Sequence, residues 1–471
     1  MTGHSSPAQP TPFHPAQAHS PRPRVLLIGR HFWPHGSIDA AAYLMQLATD
    51  LCRRDIHTEV LTPQYASSWA PRFDFRELTV HRPASAPRFD SAIGRDWSVN
   101  RYVRILASWI REHGRSYDVM MIDRAQEEVI AAVEAAKSVG CATVVRIGGW
   151  EQDNDIRWWQ THRSAGRCMA FTRRADIVVA KSPQDHRALV ANAFEHERVV
   201  RIQDGFTAGS TRAERDKQRY RRALAAINGD LAAPADMPVA LCCTPLRGDT
   251  GIRMLTESIR VLVSRYPRLR FWLIGDGPDR GSIYDFLRGE GVRDAIAMPG
   301  SFAEMKDLFI AADLFVQLGG TGLDSHLRQA VNESLPIVSV DNESTRAVLS
   351  ADAPASGRVG GNVNVSSEHE HKTDSDLVAW FEPDRIKSLR LAMRRVLDQP
   401  QESADRAAEL RRVLCRQRPH HDTVDAYVQL IRRLAGRRAN KTDAQQSKTE
   451  RSNSQQSDTQ HTDAPSIESA S

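Results

Sequence analysis

Short apolar runs recur along this chain. Each is stopped by glycine, proline or a polar turn, and most are followed by a segment with helical spacing. The clearest is Phe271-Trp272-Leu273-Ile274, which ends on Gly275-Asp276-Gly277-Pro278. Runs of this length with such stops are strands buried on both faces, as in a parallel sheet. An amphipathic helix follows, then a strand at 295–298, a helix over 305–311 and a strand at 314–316. The turn Gly319-Gly320-Thr321-Gly322 opens a further helix, and 335–340 is one more buried strand. The amino-terminal half has the same rhythm. A strand at 24–29 leads through the turn 31–37 into a helix that starts at Ile38 or Asp39. Ala40, Tyr43, Leu44, Leu47 and Leu51 share one face of that helix, and a strand at 57–62 follows. Further strands are read at 77–80, 118–122, 142–147, within 174–182 and near 199, with helices over 101–110 and 127–137. Alternating strand and helix predicts right-handed crossovers and doubly wound α/β sheets, whose ligands bind at the carboxyl ends of the strands.

Composition narrows the class. A chain of 471 residues with 41% hydrophobic and 26% charged residues is globular and long enough for two or three domains. The net charge of +5 comes without a basic stripe interleaved with aromatics, so nucleic acid is not an expected partner. Cys52, Cys141, Cys168, Cys242, Cys243 and Cys415 form no CxxC pair and are read as free thiols of a reducing compartment. No apolar run approaches the ~18 residues that span a bilayer, and no signal peptide is expected at the amino terminus. The histidines lack companion ligands at useful spacing, so no metal site is expected. Residues 1–23 and 436–471 are too poor in large apolar side chains to fold and are expected to be disordered tails, with a loop over 350–376.

GDGP after a strand, then Pro299-Gly300-Ser301-Phe302, the A-A-D-L-F-V segment at 311–316 and the L-P-I-V segment at 335–338, resembles the carboxyl domain of family 4 glycosyltransferases. The likeness extends more loosely over roughly 25–434. It implies the GT-B fold: two Rossmann-like doubly wound domains facing each other across a cleft. The implied division is an amino (acceptor) domain at 24–206, a linker at 207–237, a carboxyl (nucleotide-sugar donor) domain at 238–383, and terminal helices over 384–435 whose last member crosses back to the first domain. The linker contains a basic helix near 212–226, read as a solvated face. The resemblance implies transfer of a sugar, with retention of configuration, from a nucleotide-diphosphate sugar to a glycan or lipid-linked acceptor. No bound cofactor is implied. The expected location is the cytoplasm, with peripheral contact at the inner face of a membrane in the case of a lipid-linked acceptor.

The family's charged donor contacts are missing here. Its Arg and Lys after the first carboxyl-domain strand align with Pro245 and Thr250, leaving Arg247 between them as the nearest cation. Its Glu-x7-Glu pair aligns with Thr321 and Gln329. Gln329 can still accept a ribose hydroxyl, whereas Thr321 cannot replace a carboxylate. The histidine that many members carry after an amino-domain strand is Gly148, and the nearest carboxylates are Glu151 and Asp153, read either as catalytic or as ordinary residues of a polar loop. Donor-binding candidates are Gly36, Ser37, Arg247, Gly275, Asp276, Gly277, Pro278, Gly320, Thr321, Gly322 and Gln329, with free N–H groups of the 319–322 turn expected to favour phosphate. Gly36 and Ser37 equally suit a tight turn with no ligand. Two functions follow: a transferase with altered donor contacts, or a catalytically degenerate GT-B protein acting as a non-enzymatic partner in a glycan pathway.

Overall fold

The computed structural model describes residues 22–87, 95–208, 213–350 and 376–438. Both expected tails lie mostly outside this set, as does nearly all of the expected loop over 350–376.

Two sheets organise the chain. The first contains β1 (Arg24–Ile28), β2 (His57–Leu61), β3 (Arg72–Phe75), β4 (Leu78–His81), β5 (Val119–Asp123), β6 (Ala142–Arg146), β7 (Ile177–Ala180) and β8 (Val199–Arg201), in the order β3-β4-β2-β1-β5-β6-β7-β8. All neighbours are parallel except β3 and β4, an antiparallel hairpin at the edge. The second contains β9 (Val239–Cys243), β10 (Arg270–Ile274), β11 (Ile296–Gly300), β12 (Leu314–Gln317), β13 (Ile337–Val340) and β14 (Ala379–Phe381), all parallel, in the order β11-β10-β9-β12-β13-β14. The apolar runs have a simple cause. Leu26 and Ile28 enter the core on one face of the first sheet, Val25 and Leu27 the core on the other. Trp272 and Ile274, against Phe271 and Leu273, divide the same way in the second. With helices on both faces, every position of a central strand is buried and the polar alternation disappears.

Two elements differ from expectation. The strand β3 lies where 63–95 showed no clear pattern beyond a strand at 77–80, because an exposed edge hairpin has no apolar run to mark it. The basic helix, Glu214–Ile227, is not merely a solvated face. Arg221 is buried and donates to the carbonyls of Ala311, Pro234 and Met237 and to Asp313, and Lys217 pairs with Asp313 at 2.8 Å. The helix is thereby clamped to the second sheet. A helix over 420–438 places Val424, Tyr427, Val428 and Ile431 in the same core as Val25 and Leu27, so the end of the chain packs on the first sheet.

The two halves touch at their rims. Gly36 lies against the backbone of Phe302 and Ala303 so closely that a Cβ would collide with the Ala303 carbonyl, and Ser37 N–H donates to the Phe302 carbonyl at 2.9 Å. Arg76 pairs with Glu304 at 2.9 Å, but both side chains are about half exposed. An exposed pair of this kind contributes little. Arg76→Ala is therefore expected to change the unfolding free energy by no more than about 0.5 kcal/mol in urea titration.

Candidate functional site

Strand order reverses between β1 and β5 in the first sheet and between β9 and β12 in the second, and ligands of doubly wound sheets lodge at such points. Here the loops after all four strands open onto one cavity of ≈ 350 Å³. Its wall takes Arg30 and His31 after β1, Asp123 and Arg124 at the end of β5, Thr244 and Arg247 after β9, and Gly320, Thr321 and Asp324 after β12.

The groups best suited to an anion are already held by carboxylates from the facing half. Gly320 N–H donates to Glu151 Oε2 at 2.9 Å, and Asn342 Nδ2 donates to Glu151 Oε1 at 2.7 Å. Thr321 Oγ donates to Asp153 Oδ2 at 3.1 Å, while Arg247 reaches Asp153 Oδ1 at 3.3 Å and Asp249 at 2.9 Å. Asp39 accepts the backbone N–H groups of Asp324, Ser325 and His326 at 2.9, 2.8 and 3.2 Å. The free amides expected at 319–322 are therefore not all free. The helix starts only at His326, its first amides are capped by Asp39, and the Gly320 amide carries Glu151. Burial raises the Glu151 carboxyl above its ordinary range, against the pull of the Gly320 amide and Asn342. The 149–153 loop that delivers these carboxylates turns on Gly149 at φ 69°, where a Cβ would strike the Asp153 backbone. Glu151 itself holds a left-handed φ of 51°.

Below this layer lies a buried charge cluster that spans the interface. Asp324 accepts from Trp150 Nε1 at 2.6 Å, Lys181 Nζ at 3.1 Å and Gly149 N–H at 3.2 Å, and pairs with Arg146 at 3.2 Å. Arg146 also pairs with Asp123 at 2.9 Å and lies over the Tyr43 ring at 3.6 Å. Burial opposes the charge on Asp324, but Lys181, Arg146 and Arg328 outweigh it and hold the carboxyl well below its usual range. Burial lowers Lys181, with Asp324 and Asp185 pulling the other way. Burial pushes Asp123 up to about 6 despite Arg146 and Arg124. Arg30 is fixed by Glu127 and Glu128 at 2.6 and 2.9 Å, and Arg124 by Asp155 at 2.8 Å.

The structure brings together Ser37, Arg247, Gly275, Asp276, Gly320, Thr321, Gly322 and Asp153 on the cavity wall, with Glu151 just behind Gly320. Gly277 and Pro278 are not on that wall, and Gly277 backs onto the Leu246 carbonyl. Gln329 also lies off it and donates to Glu333 on its own helix at 2.9 Å. Gly36 serves the close approach to 302–303. Sequence reasoning did not single out Asp39, Asp123, Lys181, Asp324 or His326. The one visible signal was Arg146, a charge inside a buried strand, which requires a partner.

No family model matches the chain. A curated protein, the lipopolysaccharide core biosynthesis glycosyltransferase LpsE of Rhizobium meliloti (strain 1021), is 23% identical over 176 residues, which cover 37% of this chain and 47% of that protein. The match thus spans about half the length of that relative. Sucrose-phosphate synthase from Thermosynechococcus elongatus superposes with a TM-score of 0.62 at 14% identity, covering 88% of this chain and 99% of that one. Anabaena HepE in complex with UDP and glucose gives 0.60 at 14% identity, covering 87% and 99%. WaaG, a glycosyltransferase involved in lipopolysaccharide biosynthesis, gives 0.59 at 13% identity, covering 86% and 99%. Identities this low establish architecture alone, and the architecture is the GT-B pair of facing domains.

Proposed function

We propose that this chain is a divergent family 4 glycosyltransferase. It would move a sugar from a nucleotide-diphosphate donor to a glycan or lipid-linked acceptor, with retention of configuration. The observation that carries the reading is the shared cavity, onto which the switch points of both sheets open. Arg247, the Gly320 amide and Thr321 would receive the diphosphate, where charge develops as the bond to the sugar breaks. Gly275 and Asp276 would border the donor, Ser37 would face it from the amino domain, and Glu151 and Asp153 would be the carboxylates nearest the reacting sugar. The names of LpsE and WaaG support a place in polysaccharide or lipopolysaccharide assembly. HepE, solved with UDP-glucose, makes UDP the first donor nucleotide to test. No helix among the described residues is long and apolar enough to cross a membrane. With a lipid-linked acceptor, the contact we propose is peripheral, from the cytoplasmic side.

A second reading has its own observation. Glu151 and Asp153 occupy the anion-ready groups, as they would in a degenerate protein that no longer takes a donor and acts as a partner in a glycan pathway. Calorimetry with UDP, GDP and ADP decides between them. One nucleotide is expected to bind, about tenfold more weakly to Arg247→Ala, as for loss of one charge-assisted phosphate contact. Gln329→Ala, turned away from the cavity, is expected to bind like the parent chain. Absence of binding to all three, in the parent chain and in a variant with Glu151 and Asp153 neutralised, overturns the donor reading.

A further inference from the structure

Each arginine on the cavity wall is already matched by carboxylate. Arg30 pairs with Glu127 and Glu128 at 2.6 and 2.9 Å, Arg124 with Asp155 at 2.8 Å, and Arg247 with Asp249 and Asp153 at 2.9 and 3.3 Å. His31 adds no charge near pH 7, because burial, and then Arg30, hold its ring well below the usual histidine range. The carboxylates that fix Arg30 and Arg124 are buried, with side chains no more than 1% exposed. Asp153 is different. It lies on the wall itself and its side chain is 38% exposed, so it is within reach of a ligand. Its backbone is pinned, since Arg124 donates to the Asp153 carbonyl. Its carboxylate rests on two donors, the Thr321 hydroxyl at 3.1 Å and Arg247 at 3.3 Å. Those are also groups that would receive the diphosphate.

We infer that Asp153 selects a donor with an uncharged sugar and rejects a sugar acid, an inference that rests on the transfer reading above. A diphosphate received by Arg247 and Thr321 takes both donors from the Asp153 carboxylate. The pinned backbone keeps that carboxylate beside the diphosphate, and the sugar is one bond away from the same diphosphate. A carboxylate can only accept, so its oxygens then need new donors. The hydroxyls of a neutral ring supply them. A carboxylate at C6 of the sugar supplies none, and it brings a like charge into a partly enclosed cleft, where repulsion exceeds that in bulk water. Nor does the wall offer such an acid a cation of its own. Among the described residues, no arginine there lacks a carboxylate, and Arg247 is the one the diphosphate would occupy.

The test is calorimetry on the full chain with sugars that differ only at C6: glucose and glucuronic acid, galactose and galacturonic acid, mannose and mannuronic acid. Each is supplied as the ester of whichever diphosphate of uridine, guanosine or adenosine binds. In at least one pair the neutral sugar nucleotide is expected to bind about tenfold more tightly than its acid. Asp153→Asn keeps the shape, removes the charge and is expected to shrink that gap to about threefold or less. Asp249→Asn, which removes the carboxylate that holds Arg247 from off the wall, is expected to leave the gap in place. The gap is a ratio within one protein, so a general loss of folding does not move it. An acid bound as tightly as its neutral partner in every pair, or a gap that survives Asp153→Asn, overturns the proposal and leaves the donor reading standing. Absence of binding by all of the diphosphates overturns the donor reading, and the proposal with it.

Discussion

Glu151→Gln combined with Asp153→Asn is expected to tighten UDP binding about tenfold, or about 1.4 kcal/mol. The reason is competition. The Gly320 amide, Thr321 hydroxyl and Arg247 guanidinium are each engaged by one of these two carboxylates. A diphosphate that enters must displace them and then sit beside two negative charges in a partly enclosed cleft, where such repulsion is worth more than in bulk water. Neutral amides keep the shape and remove the charge. Free UDP is the right probe, because it isolates the phosphate contacts from any role of the carboxylates toward the sugar. Calorimetry that shows weaker UDP binding in the double variant would mean that Glu151 and Asp153 help to build the nucleotide site rather than fill it. Loss of sugar transfer together with tighter UDP binding would be the signature of carboxylates that do both: they engage the anion-ready groups across the cleft and serve the sugar once it arrives.

Asp324→Ala is expected to cost about 3–5 kcal/mol of stability, the range for removing one partner of a buried ion pair. Asp324 is 3% exposed, and its partners Arg146 and Lys181 are 2% exposed each. Removing the carboxylate leaves two cations buried with the Trp150 and Gly149 N–H groups that also pointed at it. All four partners belong to the first sheet's half, whereas Asp324 follows β12, so the loss falls on the contact between halves. Urea titration should show the lower midpoint, and hydrogen exchange should accelerate first at 149–153 and 324–326. A change below about 1 kcal/mol would mean that the cluster relaxes or takes in water and does not hold the halves together. The pH dependence has a definite sign. The Asp324 carboxyl is held below its ordinary range, so its contribution is complete above the unfolded-state value near ~3.9 and is lost only as pH falls through the lower folded-state value.

The buried strands were legible because a strand covered on both faces leaves a run with no polar alternation, as in Phe271–Ile274 and Val119–Ile122. The edge hairpin β3–β4 was half missed for the converse reason: Arg72 and Asp74 face solvent and interrupt any such run. At the site, Arg247, Asp153, Glu151 and the glycine turn after β12 could be named from loop position. Their pairings could not, because Glu151 and Gly320 are 169 residues apart and Asp39 and Asp324 are 285 apart. Gln329 illustrates the same gap. Its alignment marked it as a ribose ligand, and helical geometry turned its amide onto Glu333, four residues along.

Local pattern alone was enough for buried strands, their glycine stops and doubly wound α/β topology, since burial on two faces and glycine stops act over a few residues, whereas two such domains facing across a cleft came from the family resemblance. Which carboxylate meets which amide, and that Glu151 and Asp153 engage the Gly320 amide, Thr321 and Arg247 across the cleft, was decided only when the halves came face to face. Coulombic and hydrogen-bond partners are chosen by distance in space, and a linear pattern carries no record of that distance.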